Sequence, residues 1–517
     1  MFQFGEKRKK NNHNTKSNSQ SLLPQKGILS GDYQTDVAYF KKVFQGDDPI
    51  QFRELDAGKE GSLKVCLIFC DGLVDTAAIE NHLIRPLTEV QRISAESITA
   101  DVLLSRVFQL ASIKQTTDFS EIIQGITYGD TLLVVDGLQE GLLFSTKCFE
   151  IRSVTEPQGE KVLSGPREGF TESLMVNLSL VRRRLRTERL KMQFYTKLGT
   201  QTNTQICVAY LDGVVDPKVL KELYRRLETI EIDGVLDANY INELIRDNPW
   251  SPFRSMGYTE RPDVIAAKLL EGRIALFLDG TPVVLTLPYL FIENFQSNED
   301  YYLNFYYTSF SRAMRVLGFF LTVLVPAVYI AVVAYHQEML PSPLLISIAT
   351  ERQSVPLPAA LEAFIMLIVF EILRETALRM QTNVGQALSI VGALVVGQAA
   401  VEAKLVAAPM IIIVALSGIT SLLVPKMNAP VLVLRFGLLF FASGLGFLGV
   451  TVGFALVLIH VLSLYSFGVW QFAADKKIRL QKVKDTVVRA PWYHMLKRPG
   501  QLSPNGVRKK GSMEELE

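Results

Sequence analysis

Uninterrupted apolar stretches of membrane length follow Val316, and they constrain the fold of this 517-residue chain more than any other feature. Residues 316–335 carry no formal charge, and a helix of that length spans about 30 Å, the thickness of a bilayer core. Further apolar segments lie around 359–373, 384–403 and 405–424, and a longer run covers about 436–465. The sequence therefore predicts an α-helical polytopic membrane domain over residues 301–470.

The number of membrane crossings stays open between four and six. Segment 359–373 is short for a crossing, and the glycine-rich stretch 443–449 allows the last run to be one long helix or a hairpin of two. Arg312 and Arg315 precede the first span, and a basic tail, 471–517, follows the last. By the positive-inside rule both termini are expected to be cytoplasmic, which requires an even number of crossings.

An internal repeat precedes the membrane domain. VCLIFCDGLVDTAAI from Val65 aligns with ICVAYLDGVVDPKVL from Ile206, and each copy reads as a strand, a turn and a capped helix. Later in each copy an Asp-Gly pair, at Asp136 and Asp279, lies between β-rich runs, which is a strong hairpin signal. The repeat predicts two related α/β subdomains.

The predicted boundaries follow from these patterns. The first subdomain covers 46–165, and the second, with a basic linker helix around 181–195, covers 166–300. Residues 1–45 are expected to form a basic, disordered arm, which is either a solvated tail or a contact for anionic lipid through its Lys and Arg residues. Together the fold class is a two-part chain, a soluble α/β region followed by membrane helices.

Candidate catalytic and metal-binding residues receive structural interpretations. The repeated aspartates are expected to serve as turn and helix-cap residues; they are Asp71, Asp75, Asp212 and Asp216. Cys66 and Cys207 hold the same strand position and are expected in the core. We predict no catalytic, cofactor or metal residue and no enzyme, and Lys+Arg 54 against Asp+Glu 52 disfavours a nucleic-acid partner.

Charges in the apolar region are informative because they are costly there. Glu371 precedes Arg374 by three residues and Glu375 precedes Arg379 by four, so each acid is predicted to pair on its own helix. A position at the membrane interface is expected for two basic residues without such a partner, Lys404 and Arg435. Gly444-x-Gly446-x-x-Gly449 is interpreted as a site of close helix packing and not as a nucleotide fingerprint.

One helical stripe of small and polar residues has no counterpart in the other apolar segments. Its members recur at helical spacing and are Gln386, Ser389, Ala393, Val396 and Ala400. Such a stripe either packs against a neighbouring helix or lines a water-filled path when several copies surround an axis. Both interpretations stand on the residues alone.

Several long motifs together resemble the A subunit of the GerA-type spore germinant receptors. They are GPREGF at 165–170, NLSLVRRRLR after it, YTERPDVIAAKLLEGRIALFLDGTPVVLTLP from Tyr258, FEILRE at 370–375 and SIVGALVVGQAAVEA from Ser389. The likeness covers about residues 46–469. One departure is Arg254, which stands where the family tends to have a second proline after the phenylalanine.

The resemblance implies a nutrient-sensor subunit in the inner membrane of bacterial endospores, with its soluble domain facing the spore core. Its implied partners are a transporter-like B subunit, a lipoprotein C subunit, membrane lipid and further copies of itself. The family is viewed as oligomerising into an ion channel that opens on nutrient binding. This favours the pore interpretation of the stripe and predicts Val396 as its constriction.

Other function classes remain as alternatives. The chain could be a membrane-anchored ligand-binding or scaffold subunit without its own pore. It could also be a secondary transporter, although such proteins carry repeats within the membrane part, and here the repeat is in the soluble part. A membrane-anchored enzyme is disfavoured because the sequence has no Walker loop and no nucleophile elbow.

Overall fold

The computed structural model describes residues 29–57, 63–89, 103, 108, 113–148, 159–160, 162, 164–379, 397–472, 485–486, 488–492, 498 and 502–503. The chain divides into two compact units. One consists of Met1–Ile151 with Leu178–Gln193, and the other of Arg152–Asn177 with Phe194–Glu517. The second unit contains the greater part of the second α/β copy together with the apolar helices.

The first α/β copy is an antiparallel sheet with helices on both faces. Its elements are α1 (Tyr33–Val43), β1 (Ile50–Ala57), β2 (Leu63–Cys70), α2 (Thr76–Ile79), a π-helical turn (Glu80–Ile84), α3 (Arg85–Glu89), β3 (Ile113–Thr116), α4 (Phe119–Thr127), β4 (Asp130–Val135) and β5 (Gly141–Ser145). The strand order is β1-β2-β4-β5-β3. Phe40 and Ile122 pack on one face of the sheet, and Ile79 and Leu83 pack on the other.

The second copy repeats this arrangement. Its elements are α5 (Leu174–Arg184), β6 (Leu190–Leu198), β7 (Thr204–Leu211), α6 (Pro217–Leu227), α7 (Ala238–Ile245), β8 (Gly257–Thr259), α8 (Pro262–Leu270), β9 (Ile274–Leu278) and β10 (Val284–Leu287). The strand order β6-β7-β9-β10-β8 is that of the first copy. The prediction of two related subdomains is confirmed, and both Asp-Gly pairs lie between antiparallel strands, β4–β5 and β9–β10.

Two boundary predictions are wrong. The expected disordered arm contains α1, because Asp32 caps the helix and Tyr33, Val37 and Phe40 recur on one buried face. The expected helix at 181–195 ends at Arg184, and Leu190–Leu198 is a strand. The repeat accounts for both errors, since α5 and β6 stand in the second copy where α1 and β1 stand in the first.

The apolar region is a bundle of helices. They are α9 (Phe305–Tyr335), α10 (Ser342–Gln353), α11 (Ala359–Arg379), α12 (Ala408–Ser421) and α13 (Asn428–Leu462), with a helical turn at 397–402 and a short hairpin, β11 (Tyr465–Ser466) with β12 (Val469–Trp470), after them. Two of the described helices, Phe305–Tyr335 and Pro425–Leu462, are long and apolar enough to cross a membrane, and Ala408–Ser421 is a shorter apolar helix.

Helix α13 reverses direction at Gly446, whose φ of 60° and ψ of −135° are not helical. A Cβ atom on Gly449 would overlap the carbonyl oxygen of Phe441, and one on Gly453 would lie 2.7 Å from Leu438 Cδ2. In a continuous helix Leu438 and Gly453 would be about 22 Å apart. The two arms, 428–445 and 447–462, are therefore packed side by side, which confirms the hairpin alternative and the packing role of Gly449, whereas Gly444 has no neighbour within 4 Å of an added Cβ.

Candidate functional site in the helical bundle

The predicted stripe is described only at its last member. Gln386, Ser389, Ala393 and Val396 lie outside the described residues. Ala400, in the turn at 397–402, is half-buried and packs against an apolar cluster built by α9, α11, α12 and the first arm of α13. At this position the side chain contacts its own bundle.

An ion pair lies inside the bundle. Arg435, on the first arm of α13, is fully buried, and its guanidinium donates to Glu371 on α11. Glu371 also pairs with Arg374 at 2.6 Å, as the spacing predicted, and Glu375 pairs with Arg379 at 2.6 Å. The interface prediction for Arg435 is wrong, because a charge in an apolar interior needs a countercharge and Glu371 supplies one.

Hydroxyl groups extend this ion pair across the bundle. Ser417 Oγ lies 3.4 Å from Arg435 Nη1 and donates to the Thr322 carbonyl oxygen at 2.9 Å. Thr322 Oγ1 and Thr420 Oγ1 are 2.8 Å apart. We call Glu371, Arg435, Ser417, Thr322 and Thr420 the polar seam. It joins α9, α11, α12 and α13 through side-chain hydrogen bonds and the bond from Ser417 to the Thr322 carbonyl oxygen.

A second buried carboxylate lies at the opposite end of the bundle. Glu362, on the first turn of α11, is fully buried, and its Oε1 accepts from the backbone N–H of Ala407 at 2.6 Å. Ala407 is the N-cap of α12 and has no side-chain oxygen to accept this bond. Glu362 therefore supplies the cap from another helix, where the helix dipole favours a negative charge.

Buried ion pairs around Glu293 lie at the end of the second α/β copy, and Lys426 contacts the same segment from the helical bundle. Its carboxylate accepts from Arg273 at 2.5 Å and from Lys268 at 2.6 Å. Burial alone would raise the pKa of Glu293, but these two cations lower it to about 2. Lys426, in the turn before α13, donates to the Gln296 carbonyl oxygen at 2.9 Å.

A second cluster holds the start of α9. Asp300 accepts from Arg312 at 2.7 Å and from Arg315 at 2.8 Å. Burial raises the pKa of the Asp300 carboxyl, but both arginines together hold it below its usual value. Arg312 also reaches Asp485 at 2.8 Å, to which Tyr301 donates at 2.9 Å. The arginines that flank the first span are thus fixed by acids.

The repeated aspartates have the structural roles that the sequence predicted. Asp71 and Asp212 accept from the glycine N–H that follows each of them, and both distances are 2.9 Å. Asp75 and Asp216 are N-caps of α2 and α6. Burial raises the pKa of Cys66 to about 12. Within the described parts of the chain, no group of three acid, histidine or cysteine side chains is arranged to hold a metal ion.

Sequence reasoning missed the partners of Arg435 and Glu362. Arg435 meets an acid 64 residues earlier, and Glu362 meets a backbone group 45 residues later. The available signal was the charge itself, since an ionised side chain in an apolar helix must be paired. A charged residue in an apolar segment shows that a polar partner is needed, but the sequence does not show which residue that partner is.

The chain matches one protein family and is similar to several of its relatives along most of its length. Residues 38–501 match the family described as Bacillus/Clostridium GerA spore germination protein. Uncharacterized membrane protein YfkQ of Bacillus subtilis (strain 168) is 41% identical over 489 residues, covering 94% of this chain and 94% of that protein. Spore germination protein KA of Bacillus subtilis (strain 168) is 39% identical over 492 residues, covering 95% and 90%.

Two further relatives come from other species. Spore germination protein GerLA of Bacillus cereus is 34% identical over 445 residues, covering 86% of this chain and 90% of that protein. Among solved structures, the N-terminal domain of the A subunit of the Bacillus megaterium spore germinant receptor GerK3 matches with a TM-score of 0.40 and 30% identity. That match covers 51% of this chain and 97% of the solved one.

Proposed function

Because this chain belongs to the Bacillus/Clostridium GerA spore germination protein family, we propose that it is the A subunit of a spore germinant receptor. The observation that carries the proposal is the 39% identity with spore germination protein KA over 95% of the chain. A match of this length includes both α/β copies and the helical bundle. The likeness therefore concerns the whole subunit and not a single shared domain.

As a receptor subunit, the chain assembles with a transporter-like B subunit and a lipoprotein C subunit. Its bundle spans the inner membrane of the endospore, and its α/β region faces the spore core. The apolar surface of the bundle supports a lipid environment: Ile412, Phe440 and Ile459 are each more than 60% exposed. Side chains of this kind are stable at a protein surface when lipid or another apolar surface covers them.

The directions of the described helices support six crossings. Thr322 on α9 meets Thr420 near the end of α12, whereas Ile330 clusters with Met410 near the start of α12. These two helices are therefore antiparallel. Glu362 bonds to Ala407 at the starts of α11 and α12, and Phe370 contacts Gly418 further along both, so α11 runs parallel to α12.

The two arms of α13 give the remaining two helix directions. The Tyr335 hydroxyl donates to the Ser443 carbonyl oxygen, so the first arm of α13 runs parallel to α9, and the second arm returns. If the direction of α9 is called outward, the first arm of α13 also runs outward. Helices α11 and α12 and the second arm of α13 then run inward. These are five passes, and in this proposal the apolar segment that the sequence predicts around 384–403 supplies the sixth. Both termini then lie on one side.

Ion conduction is proposed for an assembly of several copies. The seam hydroxyls and Arg435 are buried, Glu371 is half-buried, and their hydrogen bonds stabilise a single bundle and leave no open path among the described helices. The conducting path is assigned to the predicted stripe Gln386, Ser389, Ala393 and Val396, arranged around an axis of symmetry. Ala400 packs inward and marks the end of that path.

Three measurements test the proposed function. A tagged chain should co-purify with its B and C subunits from spore membranes, and deletion of its gene should abolish germination to one nutrient while germination through other receptors persists. The purified chain in liposomes should then conduct ions. Restored germination by a chain that conducts no ions, alone or with its partners, would favour the scaffold alternative. Uptake of labelled nutrient by the chain alone would favour a transporter.

A further inference from the structure

The loop between α7 and β8 presents a fully exposed indole next to the end of the last apolar helix. The side chain of Trp250 is 98% exposed. The next residue, Ser251, places its Oγ 2.9 Å from Nε2 of His460, two residues before α13 ends. Since adjacent Cα atoms are about 3.8 Å apart, Trp250 lies beside that helix end.

The loop backbone is fixed although the indole is exposed. Arg246 donates to the carbonyl oxygens of Ser251 at 2.5 Å and Phe253 at 3.2 Å. The Ser251 N–H donates to Asn248 O at 3.2 Å, and the Phe253 ring packs 5.9 Å from the His460 ring. A rigid frame therefore holds one large aromatic side chain outward. Exposure of its apolar ring surface to water is unfavourable.

We propose that Trp250 inserts into the headgroup region of the bilayer and anchors the second α/β copy to the lipid surface. The proposal rests on the membrane-spanning bundle of the proposed function. The second arm of α13, whose His460 contacts this loop, also exposes apolar side chains, since Ile459 is 64% and Leu456 is 52% exposed. Tryptophan is enriched at this depth because its apolar rings enter lipid while its N–H meets polar headgroups.

The neighbouring residues fit the same depth. The guanidinium of Arg254 stacks on Tyr258 with 4.0 Å to the ring centroid, and Tyr258 is 46% exposed. Arginine and tyrosine are both favourable at a membrane interface. The anchored area is limited to the C-terminal end of α7. Leu236, before the start of α7, is 67% exposed but lies at its other end, where Thr281 bonds to Asp237 at 3.0 Å.

The test uses tryptophan fluorescence of the full-length protein in phosphatidylcholine–phosphatidylglycerol liposomes. The emission of Trp250 is obtained as the difference between the native protein and Trp250→Phe. We expect this difference spectrum to be blue-shifted, shielded from acrylamide, and quenched more by lipids brominated near the headgroup than by lipids brominated at the chain ends. The matched control is Leu236→Trp in the Trp250→Phe protein, which should be quenched by acrylamide and not by brominated lipid.

Two outcomes would overturn the anchor. Emission at the wavelength of a water-exposed indole would show that the loop stays in solvent. A blue-shifted emission that neither brominated lipid quenches would show that a second copy or another protein covers Trp250. Alkaline carbonate extraction separates these failures from failure of the membrane assignment: protein that washes off the liposomes contradicts the spanning bundle itself.

Discussion

A single alanine at Gly446 provides a direct test of the α13 hairpin. The backbone at this turn has φ 60° and ψ −135°, a region that side chains other than glycine rarely adopt, at a cost of about 1–3 kcal/mol. An added Cβ atom would also lie 2.9 Å from Cβ and Cγ of Tyr335 and 3.1 Å from Cε1 of His336. With overpacking included, Gly446→Ala should lower the free energy of unfolding by roughly 2–5 kcal/mol.

Gly444→Ala is the matched control, because it makes the same chemical change two residues earlier. Gly444 is helical, and no heavy atom outside its local chain lies within 4 Å of an added Cβ. Alanine is favoured over glycine inside a helix by about 0.5–1 kcal/mol, so this variant should be as stable as the native protein or slightly more stable. The assay is equilibrium unfolding by dodecyl sulfate in maltoside micelles, followed by helical circular dichroism.

The two variants separate a hairpin from one long helix. If residues 428–462 formed a continuous helix, alanine at either glycine would be neutral or favourable. Native-like stability of both Gly446→Ala and Gly444→Ala would therefore refute the reversal at Gly446 and the count of six crossings that depends on it. Destabilisation of both variants by the same amount would refute the local reasoning about the turn.

Three further perturbations follow from the bundle and its junction. Glu371→Leu leaves Arg435 buried without an acid and should cost about 3–5 kcal/mol in the same unfolding assay, whereas Arg435→Met should cost less because Glu371 keeps Arg374. The pKa of Glu293 is lowered from 4.5 to about 2. The contribution of Glu293 to the free energy of unfolding is therefore complete above about pH 4.5 and declines as the pH falls toward 2. Glu293→Gln should remove this pH dependence from the stability measured by circular dichroism. Val396→Ala should give leak current in liposomes or germination without nutrient, while Val395→Ala should mainly lower protein abundance; reduced abundance in both without leak would make the stripe an interhelical contact.

The α/β architecture could be predicted because its signals are local and occur twice. Asp-Gly pairs mark the same hairpin in both copies, and capping aspartates mark the same helix start. The helix α1 was missed because a polar, basic arm precedes it and outweighs its short apolar pattern. Helices α1 and α5 begin at Tyr33 and Leu174, which are separated by the same offset as Val65 and Ile206 in the sequence repeat.

The bundle was less predictable because its contacts join residues far apart in the chain. The sequence placed the apolar segments, the local pairs Glu371–Arg374 and Glu375–Arg379, and a possible break near Gly446. It could not select Glu371 as the partner of Arg435, since several acids occur in the same region and pairing depends on which helices are neighbours. Helix order is a tertiary property, and local periodicity carries no information about it.

Phe467 follows the helical bundle in the chain but completes the core of the second α/β copy. Its side chain is 2% exposed in the apolar cluster of the second α/β copy, Arg226 covers its ring at 4.4 Å, and its N–H donates to Asp247 at 2.8 Å. The ribosome makes this residue only after every helix of the bundle. The apolar core of the second copy is therefore complete only after synthesis has passed Phe467, and a chain truncated before this residue is expected to fold with a less stable second copy.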